Sequence, residues 1–275
     1  MNKADKYYIE NLNKIKTEGC FDENPRPRYK DGTEAYTKFI TQVFEEYDIS
    51  KGEFPIPTLR NTAIKTGIKE IFWIYQNQTS SLDVAHDIGI KWWDEWNIGD
   101  LTIGNRYGHT IKKYDLMNKL LEGLKNDPFG RRHIINMYQY DEFKNPGLFP
   151  CAYETLWSVR KINNEYYLDM TLTQRSNDYL TAGAINKCQY TAFQMMIAGH
   201  LGYNVGKFCH LTQNLHVYDR HFDALEELLE RTPLEIQPQL ILKENKNFYD
   251  YTINDFEIIG IEGIEKIKSP LELAI

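Results

Sequence analysis

The chain of 275 residues is poor in cysteine, has no long apolar run and carries no surplus of positive charge. Its four cysteines, Cys20, Cys151, Cys188 and Cys209, are scattered and form no CxxC pair, which argues against a zinc site and against a bound metal generally. No apolar stretch approaches the roughly 18 residues of a membrane span. The N-terminal MNKADKYYIENLNKIK is polar, without a signal-peptide core. Together these features predict a cytoplasmic protein with free thiols and no membrane association. The net charge of -7 excludes a broad electrostatic grip on DNA or RNA, but not a few arginines gathered at one phosphate. P-loop, HExxH and GxGxxG motifs are all missing. So are repeats, low-complexity tracts and linkers, which predicts one domain over 1–275, long enough to bury a core without staples.

Aromatic residues are plentiful, with 19 tyrosines, a supply that serves a pocket for flat ligands or a core equally well. Helical spacing of Tyr8, Ile9, Leu12 and Ile15 predicts a helix over 4–17 that ends at Gly19. Residues 21–34 read as loop and 35–47 as strand. A long helix is predicted from Thr58, as its cap, to Tyr75, another over 83–96, and a third over 114–125. Strand-like runs follow at 133–140, 154–162 and 166–175, the last two joined by the hairpin turn Asn163-Asn164. Residues 184–202 are apolar on most faces and predict a buried central helix. A strand over 205–218, a helix over 220–231, a short strand QLIL and an irregular tail complete the chain. Helices and strands mix without a βαβ rhythm, so the fold class is α+β with a mixed, mostly antiparallel sheet.

Several residues have types suited to chemistry. Cys151, in LFPCAYE, is a soft nucleophile whose thiolate an arginine would favour, or a small buried apolar residue. The run Gln174-Arg175-Ser176-Asn177-Asp178 ends a strand and offers a guanidinium fork and a hydroxyl for phosphate. Arg131 and Arg132, after Gly130, form a second compact cationic pair. Each arginine reads equally as a solvated surface residue. Glu70 falls within the apolar KEIFWIY, where a carboxylate is costly unless paired, functional or turned outward. His216 and Tyr218 alternate on a strand and so share one face. Asn186 opens the buried helix, where an amide can cap the helix or read the edge of a base.

Taken in order, these segments resemble the thymidylate synthase family along nearly the whole chain. The matching pieces are RYKDGT (28–33), IKEIFWIY (68–75), WWDEW (92–96), IGNRYG (103–108), DPFGRRHII (127–135), PCAYE (150–154), QRSND (174–178), IN…QY (185–190), LHVYD (215–219), FYDYTINDFEI (248–258) and the terminal LAI. The resemblance implies transfer of a one-carbon unit and a hydride from 5,10-methylenetetrahydrofolate to dUMP, with no metal. It implies that Cys151 adds to C6 of uracil and that Glu70 organises water for proton transfer. Arg28, Arg175 and Ser176 would hold the phosphate, with Arg131 and Arg132 reaching it from the other subunit of a homodimer formed through the sheet. Gln174, Asn177, Asp178, Asn186, His216 and Tyr218 would complete the dUMP site. Asp178, Trp93, Trp96, Ala63 and Ala274 would face folate, with Ile275 helping to close the site.

The chain departs from the family pattern at a few positions. Ala152 stands where many members have His, LTAGAIN replaces LGxPFN, Asn214 stands for a common Asp, and Ala63 aligns with a folate-contacting His. Two rival functions follow. In a hydroxymethylase, water would capture the methylene intermediate; a cytosine-specific version carries Asp at the position of Asn186. A catalytically silent nucleotide- or RNA-binding regulator would not need Cys151 and Glu70.

Overall fold

The computed structural model describes residues 1–144 and 147–275. A seven-stranded sheet runs through the molecule in the order β1 (Cys20–Phe21), β2 (Thr37–Asp48), β7 (Asn204–Tyr218), β5 (Glu165–Gln174), β4 (Ala152–Ile162), β3 (Ile134–Asn136), with β6 (Asn177–Asp178) also paired to β7. Every pairing is antiparallel except β5 and β6 against β7. The β4–β5 hairpin turns on Asn163 and Asn164, both at positive φ, as their side chains tolerate.

One face of the sheet carries Trp157, Leu168, Met170, Leu172 and Phe208 into the core, beneath helix α6 (Ala184–Leu201), which is buried almost throughout. Helix α2 (Ile64–Ile71) packs across α6. Gly67 permits the approach, because a Cβ there would meet Ile185 and Gln189 at 2.9–3.3 Å. The other face of the sheet shows Phe44, Leu211, Leu156 and Ile134, all exposed. Cross-strand register pairs Phe44 with Leu211 and Ile134 with Leu156.

Both helices that border the site contain a π turn. Helix α2 continues as π-helix over Phe72–Gln76, with Asn77 N–H donating to Phe72 O at 2.8 Å, and α6 is preceded by a π turn over Tyr179–Gly183.

Several element boundaries differ from the sequence expectation. The long helix starts at Ile64, not Thr58. The Asp5 carboxylate of α1 (Lys3–Glu18) accepts from both the Thr58 amide and hydroxyl, which pins that segment outside the helix. The helix expected over 83–96 is α3 (Leu82–Asp87), broken at Gly89 (φ +82°) and followed by a 3₁₀ turn over Asp94–Trp96. The helix predicted over 114–125 is α5 (Leu116–Asn126), and a short helix the sequence reading did not anticipate, α4 (Gly108–Lys113), precedes it. The run 133–140 forms a strand only over β3. After the predicted helix at α7 (Phe222–Glu230), the tail is less irregular than expected, because β8 (Gln239–Leu242) pairs with β9 (Phe256–Ile259).

Candidate active site

A cavity of about 640 Å³ opens where the ends of β4, β5 and β7 meet the α2–α6 pair. It is large enough for a nucleotide and part of a second flat ligand. Cys151 lies just before β4. Strand register places Ala152 opposite Gln174, so Arg175, the next residue of that chain, comes beside the cysteine. Arg175 Nη2 approaches Cys151 Sγ at 3.5 Å, while its Nε and Nη2 donate to Pro150 O and Phe149 O. These carbonyl bonds hold the guanidinium still. Burial pushes the thiol pKa up, and the charges of Arg175 and Arg26 oppose that rise. The Cys151 amide donates to Tyr107 Oη at 3.1 Å. Tyr107 itself sits at φ +48°, ψ -110°, a conformation a bulky residue adopts only under constraint.

Glu70 is buried at the cavity wall, on the face of α2 that meets α6. Its Oε2 accepts from the indoles of Trp92 (2.6 Å) and Trp93 (2.7 Å), and its Oε1 accepts from Gln189 Nε2 (3.0 Å). No cation is among these partners. Burial therefore dominates and raises the carboxyl pKa, though the three neutral donors offset part of the rise.

Three side-chain amides form the floor. Gln174 Nε2 donates to Asn186 Oδ1 at 2.9 Å, and Asn177 Nδ2 donates to Gln174 Oε1 at 2.9 Å and to Asn186 Oδ1 at 3.3 Å. On β7, His216 and Tyr218 do share a face, their rings 5.3 Å apart and perpendicular. His216 Nδ1 meets Asn214 Oδ1 at 2.9 Å, and burial lowers the imidazole pKa. Asp178 caps the π turn before α6, accepting from Leu180 N and Thr181 N. Trp93 packs edge-on against both Trp96 and Tyr107. The C-terminal residue reaches back to the site, with Ile275 N–H donating to Arg28 O at 2.9 Å and Ile275 O accepting from Arg28 N–H at 2.7 Å.

Of the residues singled out in the sequence, Cys151, Glu70, Gln174, Arg175, Ser176, Asn177, Asp178, Asn186, His216, Tyr218, Trp93, Trp96, Ala274 and Ile275 all line this cavity. Arg28 is not among the residues lining it. Its guanidinium turns to the carbonyls of Pro25 and Pro27 and to Glu34, and Arg26, two residues earlier, lines the cavity instead. Ala63 is also outside the lining, exposed at the start of α2. Arg131 and Arg132 are exposed before the edge strand β3, away from the cavity. Sequence reasoning missed Arg26, Tyr107, Trp92 and Gln189. The aromatic cluster WWDEW and the segment IGNRYG held the signal for two of them.

The thymidylate synthase family model matches residues 6–273. Thymidylate synthase from Streptococcus suis (strain 05ZYH33) is 50% identical over 280 residues, covering 100% of both chains, and that of Streptococcus pneumoniae (strain 70585) is 49% identical with the same coverage. The solved structure of thermostable thymidylate synthase A from Bacillus subtilis superposes with a TM-score of 0.90 at 34% identity, covering 99% of each chain. Fold, cavity and full-length similarity agree, and the chain belongs to the thymidylate synthase family.

Proposed function

We propose that the cavity converts dUMP to dTMP through a covalent adduct on Cys151. The observation that carries this reading is the placing of the Cys151 thiol against the Arg175 guanidinium, at 3.5 Å, in the cavity that Glu70 and Asn186 also line. The thiolate adds to C6 of the uracil, and the C5–C6 electron pair moves toward C5 and O4. Arg175 favours the thiolate form of the nucleophile. Asn186 faces O4, and His216 and Tyr218 take the sugar hydroxyl. Arg26, Arg175 and Ser176 hold the phosphate. Glu70 holds the water that accepts the C5 proton; burial raises its carboxyl pKa above the usual carboxylate range, which favours proton exchange over permanent ionisation. The co-substrate 5,10-methylenetetrahydrofolate supplies the one-carbon unit and the hydride. The fit of a flat pterin is supported by the indole wall of Trp93 and Trp96, with Asp178 as its polar partner. Ala274 and Ile275 cover the ligands and exclude water.

The whole chain acts as one catalytic domain, and two copies pair through their sheets. Support for the pairing comes from the exposed apolar rows Phe44–Leu211 and Ile134–Leu156 and from the position of Arg131 and Arg132, which lie outside their own subunit's cavity. Four free cysteines support a reducing, cytoplasmic setting.

The direct test incubates the protein with dUMP and methylenetetrahydrofolate, following dihydrofolate by absorbance and identifying the nucleotide by mass. Thymidylate with an equal amount of dihydrofolate, both lost in Cys151→Ser, is the expected result. Hydroxymethyl-dUMP with tetrahydrofolate would make the chain a hydroxymethylase. Binding of dUMP without turnover would leave a regulator on this fold. For the shared site, mixing an Arg131→Ala subunit with a Cys151→Ser subunit should recover activity; an inert mixture of two inert homodimers refutes sharing.

A further inference from the structure

Behind the amide floor lies His210, on β7, which no step of the reaction above uses. It is buried, and its Nε2 meets Gln174 Oε1 at 2.8 Å, with Thr212 Oγ1 3.2 Å away on the same nitrogen. The three amides of Gln174, Asn177 and Asn186 are closed on one another, and such a ring is satisfied in either of two senses. In the observed sense, Asn177 gives both amide protons and Gln174 donates to Asn186 Oδ1. Asn186 Oδ1 is then fully engaged, and its Nδ2 protons, which have no acceptor among the described residues, remain for the cavity. In the reverse sense all three amides turn over, and Asn186 shows a carbonyl to the cavity instead. Nothing inside the ring chooses between the two. Buried Asn177 Oδ1 is without a partner in the observed sense, so the ring alone gives no reason to prefer it.

We propose that His210 is a positioning residue that fixes the sense of this ring and thereby the donor face of Asn186, selecting a pyrimidine with a carbonyl rather than an amino group at ring position 4. In the Nε2–H tautomer, which we assign to this ring from its 2.8 Å approach to Gln174 Oε1, the imidazole requires an acceptor from Gln174. The Oε1 end of that amide then faces His210, the Nε2 end faces Asn186, and Asn186 Nδ2 faces the ligand. With Nε2 protonated, the Thr212 hydroxyl at 3.2 Å can only accept a share of that proton, so it does not oppose donation to Gln174. Burial pushes the His210 pKa down to about 3, so the side chain stays neutral with a single ring proton through the working range. The inference rests on the reading of Asn186 as the base contact.

The test measures the dissociation constants of dUMP and dCMP for the full-length protein by calorimetry, alongside thermal melts. His210→Phe removes the donor and keeps an aromatic ring against Phe208. Gln174→Glu, nearly isosteric and acceptor-only at neutral pH, cannot donate to Asn186 Oδ1 and serves if the first variant fails to fold. His210→Trp supplies a donor that cannot accept. The ratio of dCMP to dUMP dissociation constants should fall roughly ten- to a hundredfold in His210→Phe and Gln174→Glu, the range of discrimination that one oriented amide supplies. It should stay near the native ratio in His210→Trp. Asn186→Asp should lower the ratio further, since a carboxylate accepts from an amine directly. If His210→Phe and Gln174→Glu weaken both nucleotides equally while Asn186→Asp still shifts the ratio, His210 is a packing residue and the proposal is wrong. An unmoved ratio in Asn186→Asp as well removes the base contact itself, and the proposal with it.

Discussion

Two glutamates are buried in this molecule, and their surroundings differ in kind. Glu70, beside the cavity, is met only by neutral donors, two indoles and an amide. Glu45, behind the floor, is met by the Lys187 ammonium at 2.7 and 3.0 Å, by Tyr47 and Tyr179 hydroxyls and by Asn11. Burial raises the Glu70 carboxyl above its usual range. Burial also acts on Glu45, but the Lys187 charge and hydrogen bonds from Lys187 and Tyr47 hold it below that range. A carboxylate surrounded by neutral donors is poised to exchange a proton with water in the cavity. One clamped by an ammonium stays ionised and serves the architecture.

The largest effect that would sharpen this contrast is on turnover. Glu70→Gln keeps the shape of the side chain but removes the proton acceptor, and kcat should fall about 10²- to 10⁴-fold with dUMP binding largely retained. Steady-state kinetics and dUMP titration check it; unchanged kcat would place the two glutamates in the same class. Next is stability. Lys187→Met leaves Glu45 as an unpaired buried charge and should cost about 3–5 kcal/mol, most of it recovered when Glu45→Gln is added. Urea denaturation of the single and double variants measures this, and additive losses would contradict the pairing.

Acid and base should then act on the two sites with opposite sign. A raised folded pKa means that Glu70 contributes full stability below its ordinary value of 4.5 and loses it as pH rises through the folded value. Glu70→Gln should therefore be more stable than the native chain at neutral pH, with the gain fading in acid. Glu45 does the reverse. Its contribution is present above 4.5 and is lost as pH falls through the depressed value, so the deficit of Glu45→Gln should shrink in acid. Melting temperatures from pH 7 to well below 4.5 follow both, the Glu70 change falling above 4.5 and the Glu45 change below it. The smallest effect is on the pH profile of kcat: Trp92→Phe removes one donor to Glu70 and should move the acid limb up by about one unit.

The same pair explains how much was legible in the sequence. Glu70 stood out because a single carboxylate interrupts an apolar helical run, a local signal. Glu45 did not, because it sits next to Glu46 on an edge-proximal strand and its partner lies 142 residues away. Cys151, Arg175, His216 and Tyr218 were legible as motifs near strand ends, which strand register brings together, and Asn186 as an amide opening the buried helix α6. Arg26 gave no signal of its own, since it sits in a loop with no periodicity to orient it toward the cavity. The start of α2 was misplaced for a similar reason. Thr58 has the composition of a cap, but its hydroxyl answers to Asp5, on another helix.

The π turns at Phe72–Gln76 and Tyr179–Gly183 carry a consequence for how this chain can change its length. A π turn is an α-helix holding one residue more than it needs, so each is an insertion absorbed without breaking the helix. Removing one residue from such a turn would return it to α geometry, and the register on one side of it would rotate by about 100° relative to the other. Glu70 stands just before one of these turns and Asn186 just after the other. Relatives of different length should therefore open their alignment gaps in the surface loops and leave these two turns at constant length, because a gap there would swing a site residue off the cavity while the helix itself remained intact.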